Sequence, residues 1–188
     1  MPTPIEIEYK FPVQDLAGIR QALRAIGAGQ SQKSFQSDEY LNDPLRDFAK
    51  MDIALRIRQS DEQFFLTFKG PNLDSAAKIR NEIETRLVGA KEAEQIKQSF
   101  LGIGFYSVAS VKKTRETMHL QWQDQQVEVC LDSVADVGDF VELEIVVENP
   151  QQKEQAKSAL ESLASKLELS DSILTSYLEL LLQRRGDI

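Results

Sequence analysis

The sequence holds a single cysteine, Cys130, so no intrachain disulfide is possible and a zinc site built on paired cysteines is excluded. There is also a single histidine, His119, with no partner motif around it, and it reads as a surface or structural residue rather than a base. Excess positive charge is missing: the formal net charge is −8, which argues against a general electrostatic grip on duplex nucleic acid. Net charge does not exclude a local basic cavity. No apolar run approaches the roughly 20 residues that span a bilayer, so no membrane association is expected. The first residues reach Glu6 and Glu8 without a basic region or apolar stretch, so no signal peptide is expected and a cytoplasmic location follows. What remains is ordinary for a folded chain of 188 residues: 41% hydrophobic residues to build a core and 28% charged residues spread along the sequence.

Alternation is the dominant signal. Ile5, Ile7, Tyr9 and Phe11 are apolar, and Glu6, Glu8 and Lys10 between them are charged, which predicts a strand with one face of each kind. Asp15 can cap a helix carrying Leu16, Ile19, Leu23 and Ile26, stopped by Gly27 and Gly29. Residues 30–41 read as extended, and strands at about 53–59 and 63–69 form a hairpin around Ser60-Asp61-Glu62. A further strand covers about 77–88 and a helix about 90–101, with strands following at about 106–120, 125–134 and 139–147. Asn149-Pro150 reads as the start of a helix carrying Ala156, Leu160, Leu163 and Leu167. A last helix is expected at about 172–185. The Phe64/Leu66/Phe68 stripe reads as core against a helix, and Trp122 as edge packing.

The charged faces repeat from strand to strand. Arg56 and Arg58 share one, as do Thr67 and Lys69; the longest runs Lys78, Arg80, Glu82, Glu84 and Arg86. Lys113 and Arg115 form another, then Glu128, Cys130 and Asp132, then Glu142 and Glu144. Such a sheet either stays open with its charged face in water or closes into a barrel and turns that face inward. Few Thr, Ser and Gln accompany the charges, which favours closure. Acid pairs at i, i+2 (Glu6/Glu8, Glu82/Glu84, Glu142/Glu144) suit a hard divalent cation, Mg²⁺ or Mn²⁺. Arginines and lysines in number suit a polyanion, and the two sets together match a metal-bridged triphosphate.

These segments resemble the CYTH, or triphosphate tunnel metalloenzyme, superfamily. Glu6, Glu8 and Lys10 stand as its ExExK signature. Asp38-Glu39-Tyr40-Leu41-Asn42, Leu55-Arg56-Ile57-Arg58, Leu66-Thr67-Phe68-Lys69-Gly70-Pro71, Arg80-Asn81-Glu82-Ile83-Glu84 and Val111-Lys112-Lys113-Thr114-Arg115 follow in family order. Leu131-Asp132, the run Gly138 to Glu144 and the run Ser176 to Leu181 complete the similarity over nearly the whole chain. The resemblance implies an α+β fold: an eight-stranded antiparallel β-barrel forming a tunnel, with helices packed outside. It implies one domain over 1–188, with C-terminal helices at about 150–186 packing on the barrel. Carried onto matching positions, it makes Glu6, Glu8, Asp132, Glu142 and Glu144 the metal-binding set, supported by Glu82 and Glu84. Lys10, Arg56, Arg58, Lys69, Arg80, Lys113 and Arg115 would grip the triphosphate, with Lys10, Lys113 and Arg115 catalytic.

Within the superfamily, Asp43-Pro44-Leu45-Arg46-Asp47-Phe48 before the Leu55–Arg58 strand is most similar to the class IV adenylyl cyclase group. That group turns ATP into cyclic AMP and pyrophosphate. The alternatives are a hydrolase of inorganic tripolyphosphate or thiamine triphosphate, and a non-catalytic polyphosphate binder, which the three intact acid pairs disfavour. The charged face also counts against a barrel for apolar ligands. The expected partner is a nucleoside triphosphate or another triphosphate; a homodimer is left open, as is the role of Arg46.

Overall fold

The computed structural model describes residues 4–188, in the element order expected from the alternation. The strands are β1 (Ile5–Val13), β2 (Gln32–Asn42), β3 (Ala54–Ser60), β4 (Gln63–Lys69), β5 (Lys78–Leu87), β6 (Tyr106–Trp122), β7 (Gln125–Val134) and β8 (Gly138–Val147). The helices are α1 (Leu16–Ala25), α2 (Ala90–Gly102), α3 (Lys153–Lys166) and α4 (Tyr177–Arg185). All strand pairs are antiparallel, and the sheet closes as β1-β5-β4-β3-β2-β6-β7-β8. Closure settles the question that alternation left open: the charged face is the inside of a barrel. It is brought about by β1, which pairs β8 over nine residues and β5 over four.

Local chemistry places the connections. Asp15 accepts a hydrogen bond from the Gly18 amide and caps α1, which gives way at Gly27 with φ +94°. Gln123 and Asp124, both at positive φ, make the two-residue turn between β6 and β7, the turn hand that matches strand twist. Asn149 caps a short 3₁₀ turn, Pro150–Gln152, that leads into α3.

The apolar faces point outward and are covered by helices. Ile7, Met118, Val129 and Leu143 meet Leu160 and Leu163 of α3 and Leu23 of α1 in the largest cluster. A second joins Tyr40, Val111 and Phe140 to Tyr177 and Leu181 of α4, and a third sets Leu55 and Ile57 near α2. Leu163 is fully buried, so Leu163→Ala should lower the unfolding free energy by about 2–5 kcal/mol in a denaturant titration. A loss under 1 kcal/mol would mean that α3 is not the main cover of this face.

Two expectations need correction. Phe64 and Leu66 do pack toward α2, but Phe68 is 37% exposed beside Ile83, because α2 does not extend over that end of β4. The last helix starts at Tyr177, not near 172. Ser176 and Glu179 form a reciprocal capping box there, and Asp171 stands at φ +60°, outside helical space. The Ser-x-x-Glu spacing was present in the sequence to be read.

Candidate functional site

Because side chains alternate along each strand, register decides which of them meet inside the barrel. Lys10 stands opposite Glu142, Glu8 opposite both Glu144 and Lys78, and Glu6 opposite Arg80. On the far wall Asp38 faces Arg58, Tyr40 faces Arg56, and Arg115 faces Asp132. The cavity inside the barrel measures about 660 Å³ and is lined by Phe48 and by Leu178 and Leu182 of α4 as well as by the strands.

The end beneath α4 is held by a dense ionic network. Arg115 Nε donates to Asp132 Oδ1 at 2.7 Å, and its Nη2 also reaches Glu142. Lys113 Nζ donates to Asp132 Oδ2 at 3.2 Å. The Tyr177 hydroxyl donates to the same oxygen at 2.9 Å, while its ring lies 4.1 Å from Lys10 Nζ and 5.0 Å from Lys113 Nζ. Lys10 Nζ is 3.3 Å from Glu142 and 3.6 Å from Glu8. Asp38 accepts from Arg58 at 2.6 and 2.8 Å and from Arg56 at 3.3 Å. Further along the lumen, Lys69 bridges Glu6 at 2.8 Å and Glu82 at 2.7 Å. Glu84, exposed, accepts from the Thr67 hydroxyl. At the rim Arg80 contacts Asp52.

Burial and neighbouring charge set the protonation of these groups. Burial, reinforced by Arg115, pushes the Lys113 ammonium down to about 8. Burial and the adjacent Lys10 bring Lys78 to about 8 despite Glu8. Lys10 moves the other way, because Glu8 and Glu142 outweigh its burial. Glu82 is drawn down to about 2 against its burial by hydrogen bonding with Glu6 and by Lys69 and Arg56, while burial raises Glu6. Glu144 is held well above the carboxylate range, first by burial and then by the charges of Glu6, Glu8 and Glu128, with Lys69 opposing.

The residues that the sequence nominated for the site line the lumen, Glu84 among them as an exposed side chain. The exception is Asp132, which is fully buried behind Lys113, Arg115 and Tyr177. Arg46, whose role was left open, is 60% exposed and paired with Asp43 of its own loop. His119 is exposed too, with Nδ1 4.0 Å from Glu128. Sequence reasoning missed Asp38, Tyr40, Lys78, Glu128 and Tyr177 as parts of the site. Lys78 and Glu128 were legible as members of charged faces; Tyr177 was not, because in a helix it reads as one more apolar position.

Among the described residues, no three of His, Cys, Asp or Glu already converge as a finished metal-ligand set; most lumen carboxylates turn toward lysines and arginines. The donor chemistry nevertheless fits a hard cation. All candidate ligands are carboxylate oxygens, Glu8 Oε1 is buried without a hydrogen-bond partner, and among the described residues Glu144 makes no ion pair of its own.

Comparison with known proteins came out consistently. The CYTH domain family matches residues 4–177. A Methanocaldococcus jannaschii protein named "Putative adenylate cyclase MJ0240" is 35% identical over 178 residues, covering 94% of this chain and 98% of that one. The PH1819 protein of Pyrococcus horikoshii OT3 superposes with a TM-score of 0.84 at 33% identity, over 96% of this chain and 99% of its own. HpAC1 of Hippeastrum, described as having a dominant triphosphatase activity, superposes at 0.67 over 97% of this chain and 96% of its own. At 18% identity that likeness bears on the fold alone.

Proposed function

Because the chain belongs to the CYTH domain family, whose triphosphate tunnel enzymes use divalent metal ions, we propose that it is a metal-dependent enzyme that grips a triphosphate in the barrel lumen and acts as an adenylyl cyclase. The observation that carries this is the lumen itself, a barrel interior in which lysines and arginines from five strands (β1, β3, β4, β5 and β6) face carboxylates from five (β1, β2, β5, β7 and β8). The name of the M. jannaschii relative supports the cyclase reading, as does the part of the cavity lining made by Tyr40, Phe48, Leu178 and Leu182, which offers apolar surface to a base or ribose.

In this reading Arg56, Arg58, Lys69, Arg80 and Arg115 hold phosphate oxygens, the arginines through their forked donors. Glu6, Glu8 and Glu144 would hold a divalent cation, which would supply Lewis-acid neutralisation of phosphate charge. Glu142 and Asp132, the other two acids of the expected set, hold Lys10, Lys113 and Arg115 in place. Lys113, kept near 8 within the lumen, takes the proton from the attacking oxygen, and Arg115 steadies charge on the leaving pyrophosphate.

Hydrolysis is the second reading, and the same lysine serves it. Lys113 lies among the phosphate-facing cations, a position equally suited to deprotonating a water directed at the terminal phosphorus. Product analysis separates the two. With ATP and Mg²⁺ or Mn²⁺, cyclic AMP plus pyrophosphate is the expected result. Phosphate release from ATP, tripolyphosphate or thiamine triphosphate without cyclic AMP would replace cyclase by triphosphatase. Full turnover in excess EDTA would sink both.

A further inference from the structure

Most acids in the site have a lysine or arginine partner. Glu6 and Glu82 have Lys69, Glu8 has Lys10 and Lys78, Asp38 has Arg56 and Arg58, and Asp132 and Glu142 share Arg115. Among the described residues, Glu144 makes no ion pair at all, and the sole basic side chain near Glu128 is His119, 4.0 Å away. These two acids stand directly opposite each other on β7 and β8, and Glu144 stands directly opposite Glu8 on β1. Three carboxylates therefore form one row across three neighbouring strands. Carboxylates in opposed register have Cβ atoms only about 4.5–5.5 Å apart and repel each other. A second, independent feature points to something between them. Glu8 is 7% exposed, and its Oε1 has no hydrogen-bond donor; Lys10 and Lys78 approach it only to 3.6 and 3.5 Å.

We propose that Glu128 is a ligand of the divalent cation, so that the site extends from β1 and β8 onto β7 as the row Glu8–Glu144–Glu128. The inference rests on the metal-dependent reading above and adds a residue that lies outside the motifs which suggested it. Glu128 is four residues along β7 from Asp132, or roughly 13 Å at strand rise. Asp132 is already saturated by Arg115, Lys113 and Tyr177. The division of labour along β7 follows: Asp132 organises the cations beneath α4, and Glu128 faces the cation that the protein does not supply. Its side chain is 39% exposed, so it stands where an ion can enter from solvent.

The test uses the full-length protein and Mn²⁺ alone, with bound ion measured by electron paramagnetic resonance and by calorimetry. Glu128→Gln keeps the shape and removes the charge. We expect its Mn²⁺ affinity to fall about 10- to 100-fold, a range taken from losses at neighbouring positions of metal sites. Its metal-free melting temperature should equal or exceed that of the unsubstituted protein, because one of three repelling carboxylates is gone. Glu144→Gln serves as the control for the metal reading. Loss of Mn²⁺ binding in Glu144→Gln with full affinity in Glu128→Gln would overturn the role of Glu128 and leave the metal reading intact. No Mn²⁺ binding by the unsubstituted protein would overturn both. A lower metal-free melting temperature for Glu128→Gln would also count against the proposal, since it would make Glu128 a structural partner of its neighbours.

Discussion

Glu144→Gln should lose about 10²- to 10³-fold in turnover on its triphosphate substrate while keeping, or slightly raising, its melting temperature. The two halves of this result come from one fact. Glu144 lies half-buried among Glu6, Glu8 and Glu128 and makes no ion pair among the described residues. In the empty protein burial and the neighbouring acids already favour the protonated carboxyl, so the amide costs little there, while in the loaded protein it removes an oxygen ligand. Initial rates against Mg²⁺ concentration, beside thermal melts in EDTA, read both halves. The variant should also need more Mg²⁺ to reach half its maximal rate. Turnover unchanged at limiting Mg²⁺ would remove Glu144 from the metal site.

Arg115→Met should behave in the opposite way. Arg115 is 8% exposed and holds both Asp132 and Glu142, each buried. Methionine fills similar space but leaves two buried carboxylates with only Lys113 and Lys10 to compensate them. Breaking a buried pair by removing one partner costs about 3–5 kcal/mol, which corresponds to a drop on the order of 10 °C in melting temperature for a chain of this size. Turnover should collapse as well, since the same guanidinium is proposed to face the leaving phosphates. A double substitution, Arg115→Met with Asp132→Asn, should recover a good part of the stability and none of the activity. That split distinguishes the electrostatic account from simple misfolding. If the double variant is no more stable than the single one, Asp132 is not the group left stranded.

How much of this was readable beforehand depends on whether a residue acts along its own strand or across to another. Glu6, Glu8 and Lys10 declared their shared face by alternation alone, and the repetition of such faces argued for closure. Alternation says nothing about partners, however. That Lys69 holds Glu6, 63 positions away, is a consequence of register and barrel order, and neither is written in any local segment. The same limit hid the difference between Glu142 and Glu144, which look identical as an acid pair. One is bound by Arg115 and Lys10, and the other is free to meet a cation. Tyr177 was legible only as a helix position. Its hydroxyl meets Asp132 because α4 lies against β6 near the cavity end, a tertiary fact.

The pairing of β1 also has a bearing on how the chain is made. Its ladder with β8 joins Ile5 to Val147 and Val13 to Asp139, so the strand carrying Glu6, Glu8 and Lys10 is the first to be synthesised and is completed by the last. Loop closure over such a separation is entropically costly and slow. Until β8 emerges, the first strand has an unsatisfied hydrogen-bonding edge and an uncovered apolar face, the combination that favours wrong pairing. A nascent chain stalled before Gly138 holds all of the lysines and arginines proposed to grip the triphosphate, yet it has no tunnel to put them in.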